Sequence, residues 1–173
     1  MSTLNILMAQ LNTLVGDFDG NTRRVIDVIR TVGGERQNSI VVFPELTLSG
    51  YPPEDLLLRP SIELRVRQSL EQICARMAPG ADGTGAETGF DVHAVIGYQL
   101  LENGELYNVA GVLYRGEIVA EYRKQCLPNY QVFDEKRYFT AGSEPCVVAI
   151  HGVNVGLSIC EDIWEEGPTL QAA

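Results

Sequence analysis

Apolar residues along this chain mostly alternate with polar ones or run unbroken for strand-sized stretches, and two segments break that habit with helical spacing. Asn5 to Leu11 (NILMAQL) predicts a first strand, followed by a turn through Gly16-Asp17. Val25, Ile26, Val28, Ile29 and Val32 then mark one face of a helix, with Asn21 as its expected N-cap and Gly33-Gly34 as its expected stop. Ser39 to Phe43 (SIVVF) predicts a buried strand closed by Pro44. From Ser61 the spacing of Ile62, Leu64, Val66, Leu70, Ile73 and Met77 predicts a second helix ending before Pro79-Gly80. The Gly- and Ala-rich stretch Gly80 to Gly89 follows a helix and precedes a strand. That is the wrong order for a dinucleotide-binding loop, and it reads as a connector. Five β-like runs follow: Val92 to Leu100, Leu106 to Tyr114, Glu117 to Tyr122, Pro145 to Ile150 and Val153 to Ile159. Asn103-Gly104, Arg115-Gly116 and Gly152 supply hairpin turns between them. A βαβα start followed by a β meander predicts an α/β layered fold with a mixed sheet.

Composition narrows this without redirecting it. The chain has 173 residues, one domain's worth, with 45% hydrophobic and 21% charged side chains. Its 13 basic and 23 acidic residues give a net charge of −10, which speaks against nucleic acid or an anionic membrane as the main partner. No apolar run reaches the length of a membrane span, and the first residues lack the pattern of a secretory signal. Cys74, Cys126, Cys146 and Cys160 form no CxxC pair, so free thiols in a reducing cytoplasm are expected. His93 and His151 stand far apart in sequence and suggest no metal site.

The candidate chemistry sits where three strand-like runs end. VNVGLSICEDIW (residues 153–164) ends its alternation on Cys160, and a thiol on a tight turn is placed for nucleophilic attack, with the following N–H available to an oxyanion. Taken alone, Cys160 reads first as a small buried hydrophobe. Glu45 closes IVVFPE in dry surroundings, with Leu46 and Leu48 beside it. Burial would raise its carboxyl toward general acid–base use, whereas a loop edge would leave it solvated. Tyr51-Pro52-Pro53 forms a stiff loop able to cover such a site. Lys124 ends EIVAEYRK, either as a solvated cation or as a charge held near a thiol and an oxyanion. Carboxyl ends of parallel strands gather along one edge, where ligands bind. A base, a cation and a nucleophile on one rim suit attack on an amide or nitrile carbon.

The segments VVFPELTLSGYPPEDLL, YRKQCLPNYQVFDEKRYF and VGLSICEDIW resemble the nitrilase-like carbon–nitrogen hydrolase superfamily and its Glu–Lys–Cys triad. PPEDLL, LPNY…VFDEKRYF and ICEDIW resemble more closely the amino-terminal glutaminase domains of glutamine-dependent NAD+ synthetases. The resemblance implies Glu45 as general base, Lys124 as oxyanion-side cation and Cys160 as nucleophile. It further implies Tyr130, Phe133, Glu161 and Trp164 around a glutamine pocket, and Glu135 as an acid that helps to position Lys124. It implies no metal among these residues. Cys126 departs from the histidine often found two residues after the lysine. The implied fold is an α-β-β-α sandwich with mixed sheets, of which the chain is expected to supply the first part through the nucleophile turn. The synthetase portion, with its ATP and Mg2+, is expected outside it. The implied function is hydrolysis of the glutamine amide, with ammonia used in ATP-dependent amidation of nicotinic acid adenine dinucleotide, in a cytoplasmic homo-oligomer. Two other readings stay open: a stand-alone hydrolase of another small amide, and an inactive fragment serving as an interaction module.

Overall fold

The structure is a computed structural model that describes residues 4–35, 39–81 and 91–167; most of the connector expected at Gly80–Gly89 lies outside these. The order is β1 (Asn5–Met8), α1 (Phe18–Glu35), β2 (Ser39–Val42), α2 (Ser61–Met77), β3 (Val92–Glu102), β4 (Glu105–Tyr114), β5 (Glu117–Arg123), β6 (Val147–Ile150) and β7 (Val153–Gly156). Single 3-10 turns occupy Glu54–Leu58, Glu135–Arg137 and Cys160–Ile163. Five strands form one sheet in the order β1-β2-β3-β4-β5, and β6-β7 form a separate antiparallel pair. β1, β2 and β3 are parallel through α1 and α2, while β4 reverses and β5 reverses again. The sheet is therefore mixed, and β1, β2, β3 and β5 end at the same edge. Each hairpin turn has two residues, Asn103-Gly104, Arg115-Gly116 and His151-Gly152, all at positive φ as a right-twisted two-residue hairpin requires.

The pleat assigns the two faces. Val41, Ala94, Ile96, Tyr98, Val109 and Leu113 pack beneath Val25 and Ile29 of α1 and Ile73 and Met77 of α2. Ile40, Val95, Ala110, Val112 and Tyr122 face the other way, against Ile150 of the hairpin and Leu157 and Ile159 beyond it. Each buried Val, Leu, Ile or Met side chain among these contributes roughly 1.5–3 kcal/mol. A smaller cluster of Leu46, Leu57, Leu127 and Phe139 packs the loops of the carboxyl edge together. On β1, Leu7 joins the helix side, and Ile6 and Met8 on the opposite side are 64% and 86% exposed.

The first strand ends at Met8 rather than Leu11 and the sixth begins at Val147 rather than Pro145, and three further expectations need correction. Asn21 does not cap α1; it lies buried inside it. Asp17 accepts the Gly20 N–H at 2.9 Å, and the Asn21 amide instead ties Leu14 to Leu48 through bonds to both carbonyls. Gly33-Gly34 do not stop the helix, which runs on to Glu35; packing of Val25, Ile29 and Val32 outweighs the roughly 1 kcal/mol that each glycine costs. The last strand ends at Gly156, not Ile159. Leu157 and Ile159 keep the alternation because the departing chain folds over the sheet and buries both, at 7% and 6% exposure. The two histidines, distant in sequence, meet at the amino end of the sheet. His93 stacks on Tyr114 at 3.9 Å and meets His151 edge-on at 5.1 Å.

Candidate active site

Glu45 is set by the end of β2. The Phe43 N–H extends the ladder to the Val95 carbonyl at 2.9 Å, and Pro44, lacking a donor, ends it. The chain then turns sharply: Leu46 has φ +49, the Thr47 hydroxyl bonds the Pro44 carbonyl, and Leu48 N–H returns to Gly97 at 3.3 Å. Gly97 makes this approach possible, since a Cβ there would lie 2.5 Å from the Leu46 nitrogen and 2.6 Å from the Pro44 oxygen. Lys124 is set by the end of β5, where its N–H donates to the Asn108 carbonyl at 2.8 Å. The alternative of a solvated lysine does not hold. Its side chain is 0% exposed, and Nζ donates to Glu45 Oε1 at 2.7 Å and to Glu135 Oε1 at 2.8 Å. Asn108 on β4 adds an Nδ2 bond to Glu45 Oε1 at 2.7 Å.

Cys160 opens the last 3-10 turn as an exposed free thiol with φ +50, a conformation that a non-glycine residue holds only when its surroundings impose it. The fully buried Asp162 imposes it. Its carboxylate accepts the Ile159 N–H at 3.0 Å and the Tyr122 hydroxyl at 2.7 Å, together with the backbone N–H groups of Gln125 at 3.1 Å and Cys126 at 2.6 Å. One side chain thus fastens the cysteine turn to β5 and to the loop that leaves Lys124.

The electrostatics follow from this layout. Burial pushes the Cys160 thiol above its ordinary range and Glu45 pushes it further, against the opposing pull of Lys124 and of the Glu161 N–H. The resting sulfur is therefore protonated, and attack needs a base at that moment. Burial alone would lower Lys124, but the Glu45 charge and the hydrogen bonds to both carboxylates outweigh it and hold the ammonium. Burial raises Glu135, and its bond to Lys124 offsets this only in part. The Tyr51 phenol is pushed up to about 12, by burial first and then by Glu45 and Glu135, which places it in the same field.

Of the expected pocket residues, Tyr130 and Phe133 meet edge to face at 5.7 Å, and the neighbouring Glu161 pushes the Tyr130 phenol up. Trp164 is not drawn in: it is 70% exposed and lines neither adjoining cavity. One cavity, of about 290 Å³, lies between Tyr51, Phe133 and Glu135; the other, of about 490 Å³, lies between Cys126, Tyr130 and Glu161. Sequence reasoning missed Asp162 and Asn108. The second acid of CED was visible, but nothing local showed that it turns inward, and Asn108 is one polar residue inside an otherwise apolar strand.

A lysine locked between two carboxylates, beside a cysteine on a strained turn, can be compared with known proteins. Residues 6–169 match the carbon-nitrogen hydrolase family. The chain belongs to that family. It is similar to the glutamine-dependent NAD(+) synthetase of Xanthomonas campestris pv. campestris, at 45% identity over 98% of this chain and 30% of the relative. It is also similar to that of Aquifex aeolicus, at 42% identity over 93% of this chain and 26% of the relative. Among solved structures, the glutamine-dependent NAD+ synthetase of Acinetobacter baumannii, in complex with ADP, superposes with a TM-score of 0.82 at 34% identity. That match covers 96% of this chain and 29% of the other. An amidase from Nesterenkonia sp. shares the nitrilase-type fold, with a TM-score of 0.75 at 20% identity over 92% of this chain and 56% of the other. The chain thus spans less than a third of the synthetases that it matches. Within the carbon–nitrogen hydrolase fold, Glu45 and Lys124 follow β2 and β5 at the carboxyl edge of the mixed sheet, and Asp162 fastens the Cys160 turn to the same edge through Tyr122, Gln125 and Cys126.

Proposed function

We propose that this chain is a glutaminase domain in which Glu45, Lys124 and Cys160 hydrolyse the side-chain amide of glutamine. The observation that carries the reading is the fully buried Lys124 bridging Glu45 and Glu135 at 2.7 and 2.8 Å. Glu45 takes the Cys160 proton as sulfur attacks the amide carbon, forming the C–S bond. The tetrahedral oxyanion is held by the N–H of Lys124 that neither carboxylate uses and by the backbone N–H of Glu161. The intermediate collapses as Glu45 returns its proton to the leaving nitrogen, releasing ammonia and leaving a thioester. Glu45 then deprotonates a water that cleaves the thioester, freeing glutamate and the thiol. Tyr130, Phe133 and Glu161 line the approach, with the Glu161 carboxylate suited to the substrate's α-ammonium group.

The likeness to glutamine-dependent NAD+ synthetases supports a further assignment. The ammonia serves ATP-dependent amidation of nicotinic acid adenine dinucleotide in a longer polypeptide. ATP and Mg2+ enter only through that synthetase portion, and no step above uses them. The test is ammonia release from glutamine by the full-length protein and by its Cys160→Ala variant. The reading expects saturable release, lost in the variant; retention of most of the rate would remove Cys160 as nucleophile.

A further inference from the structure

Two donors converge on one oxygen of Glu45. Lys124 Nζ and Asn108 Nδ2 each lie 2.7 Å from Oε1, which uses both lone-pair directions of that atom. We propose that Asn108 is a positioning residue that, with Lys124, immobilises Oε1 of Glu45 and leaves Oε2 as the oxygen that takes the Cys160 proton. The assignment of Glu45 as base rests on the glutaminase reading above; the clamp itself is geometric.

The strand register makes this placement firm. Asn108 pairs with Gln99 on β3, its carbonyl accepts the Lys124 N–H at 2.8 Å, and its side chain is 0% exposed. Backbone pairing therefore holds the two donors side by side, one charged and one neutral. The distinction has a chemical use. Lys124 has three N–H bonds, of which Glu45 and Glu135 take two, leaving one for the oxyanion. A second hydrogen bond to Oε1 from a neutral amide holds the carboxylate without consuming that third bond and without adding a charge that would weaken the base.

Removing a hydrogen bond to an ionised carboxylate disfavours the charged form, so its effect appears as a shift of pH dependence as well as a loss of rate. The test uses Asn108→Leu, similar in size but without a donor, and Asn108→Ser, smaller with one donor, both in the full-length protein. Two profiles are measured against pH: kcat/KM for glutamine, and the rate of Cys160 alkylation by iodoacetamide, followed by mass spectrometry of the peptide that carries it. Asn108→Leu should lower kcat/KM roughly tenfold to a hundredfold near neutrality, mostly through kcat. It should also move the acid limb of both profiles to higher pH. Asn108→Ser should move them the same way by less, and it carries the test if the leucine variant does not fold. A folded variant with an unmoved acid limb, whether its rate falls or not, would overturn the proposal. If the parent releases no ammonia from glutamine, the glutaminase reading fails while the alkylation profiles still decide the role of Asn108.

Discussion

At its carboxyl edge the sheet buries Lys124 between Glu45 and Glu135, and at its amino edge it buries His93 between Tyr114 and His151. Both clusters place titratable groups beside a strand end, yet they keep opposite charge states. Lys124 stays ionised because two carboxylates touch it, even though burial opposes the charge. Burial drives His93 down to about 4, helped by His151, and Asp91, which accepts the Tyr114 hydroxyl at 2.8 Å, opposes this without reversing it. Direct ionic partners at one end preserve a charge that chemistry can use. Aromatic packing at the other end suppresses one and leaves a staple between β3, β4 and the β6-β7 hairpin.

The contrast can be broken most severely at Lys124. Lys124→Met should leave the buried Glu135 and the half-buried Glu45 without their cation, lowering stability by about 3–5 kcal/mol in chemical denaturation and glutaminase activity by roughly 10²–10³-fold or more. A stable, active variant would mean that the cluster is not the working charge. Asp162→Ala tests whether the exposed Cys160 turn depends on a buried anchor. It strands the N–H groups of Ile159, Gln125 and Cys126, and should cost about 3 kcal/mol together with roughly a hundredfold in rate.

The amino end predicts a pH effect on stability alone. The unfolded chain takes a proton on His93 near pH 6.5, whereas the folded chain resists it down to about 4. Its contribution to stability is therefore fully present above 6.5 and is lost as pH falls toward 4, by at most about 3 kcal/mol. His93→Phe should flatten that part of the denaturation profile relative to the parent, and an unchanged slope would contradict the staple. The smallest effect belongs to Tyr122→Phe. Asp162 keeps its backbone donors, so a loss of about 1 kcal/mol and a nearly unchanged rate are expected.

The difference between these ends also shows what the sequence made legible. Periodicity placed α2 from Ser61 and every hairpin turn, because local chemistry decides those features. It set Asn21 at a helix start because cap preference is local, whereas the real use of that amide is to join Leu14 to Leu48. Glu45, Lys124 and Cys160 were readable as strand-end residues, although Cys160 lies four residues past its strand. What holds them was not readable. Asn108 meets Glu45, and Asp162 meets Tyr122 and Cys126, through contacts that exist only once β2, β4 and β5 are in register. The histidine cluster escaped for the same reason.

The proposed reaction turns on Cys160 attacking an amide carbon while Glu45 takes its proton. Its most direct test treats the full-length protein with an electrophilic diazoketone analogue of glutamine and locates the adduct by peptide mass spectrometry. One adduct is expected, on Cys160, prevented by excess glutamine and formed at least tenfold more slowly in Glu45→Gln, in line with loss of roughly 10²–10⁴-fold general-base assistance. An adduct on Cys126 or Cys146, or labelling of Cys160 at the same rate in Glu45→Gln, would contradict it.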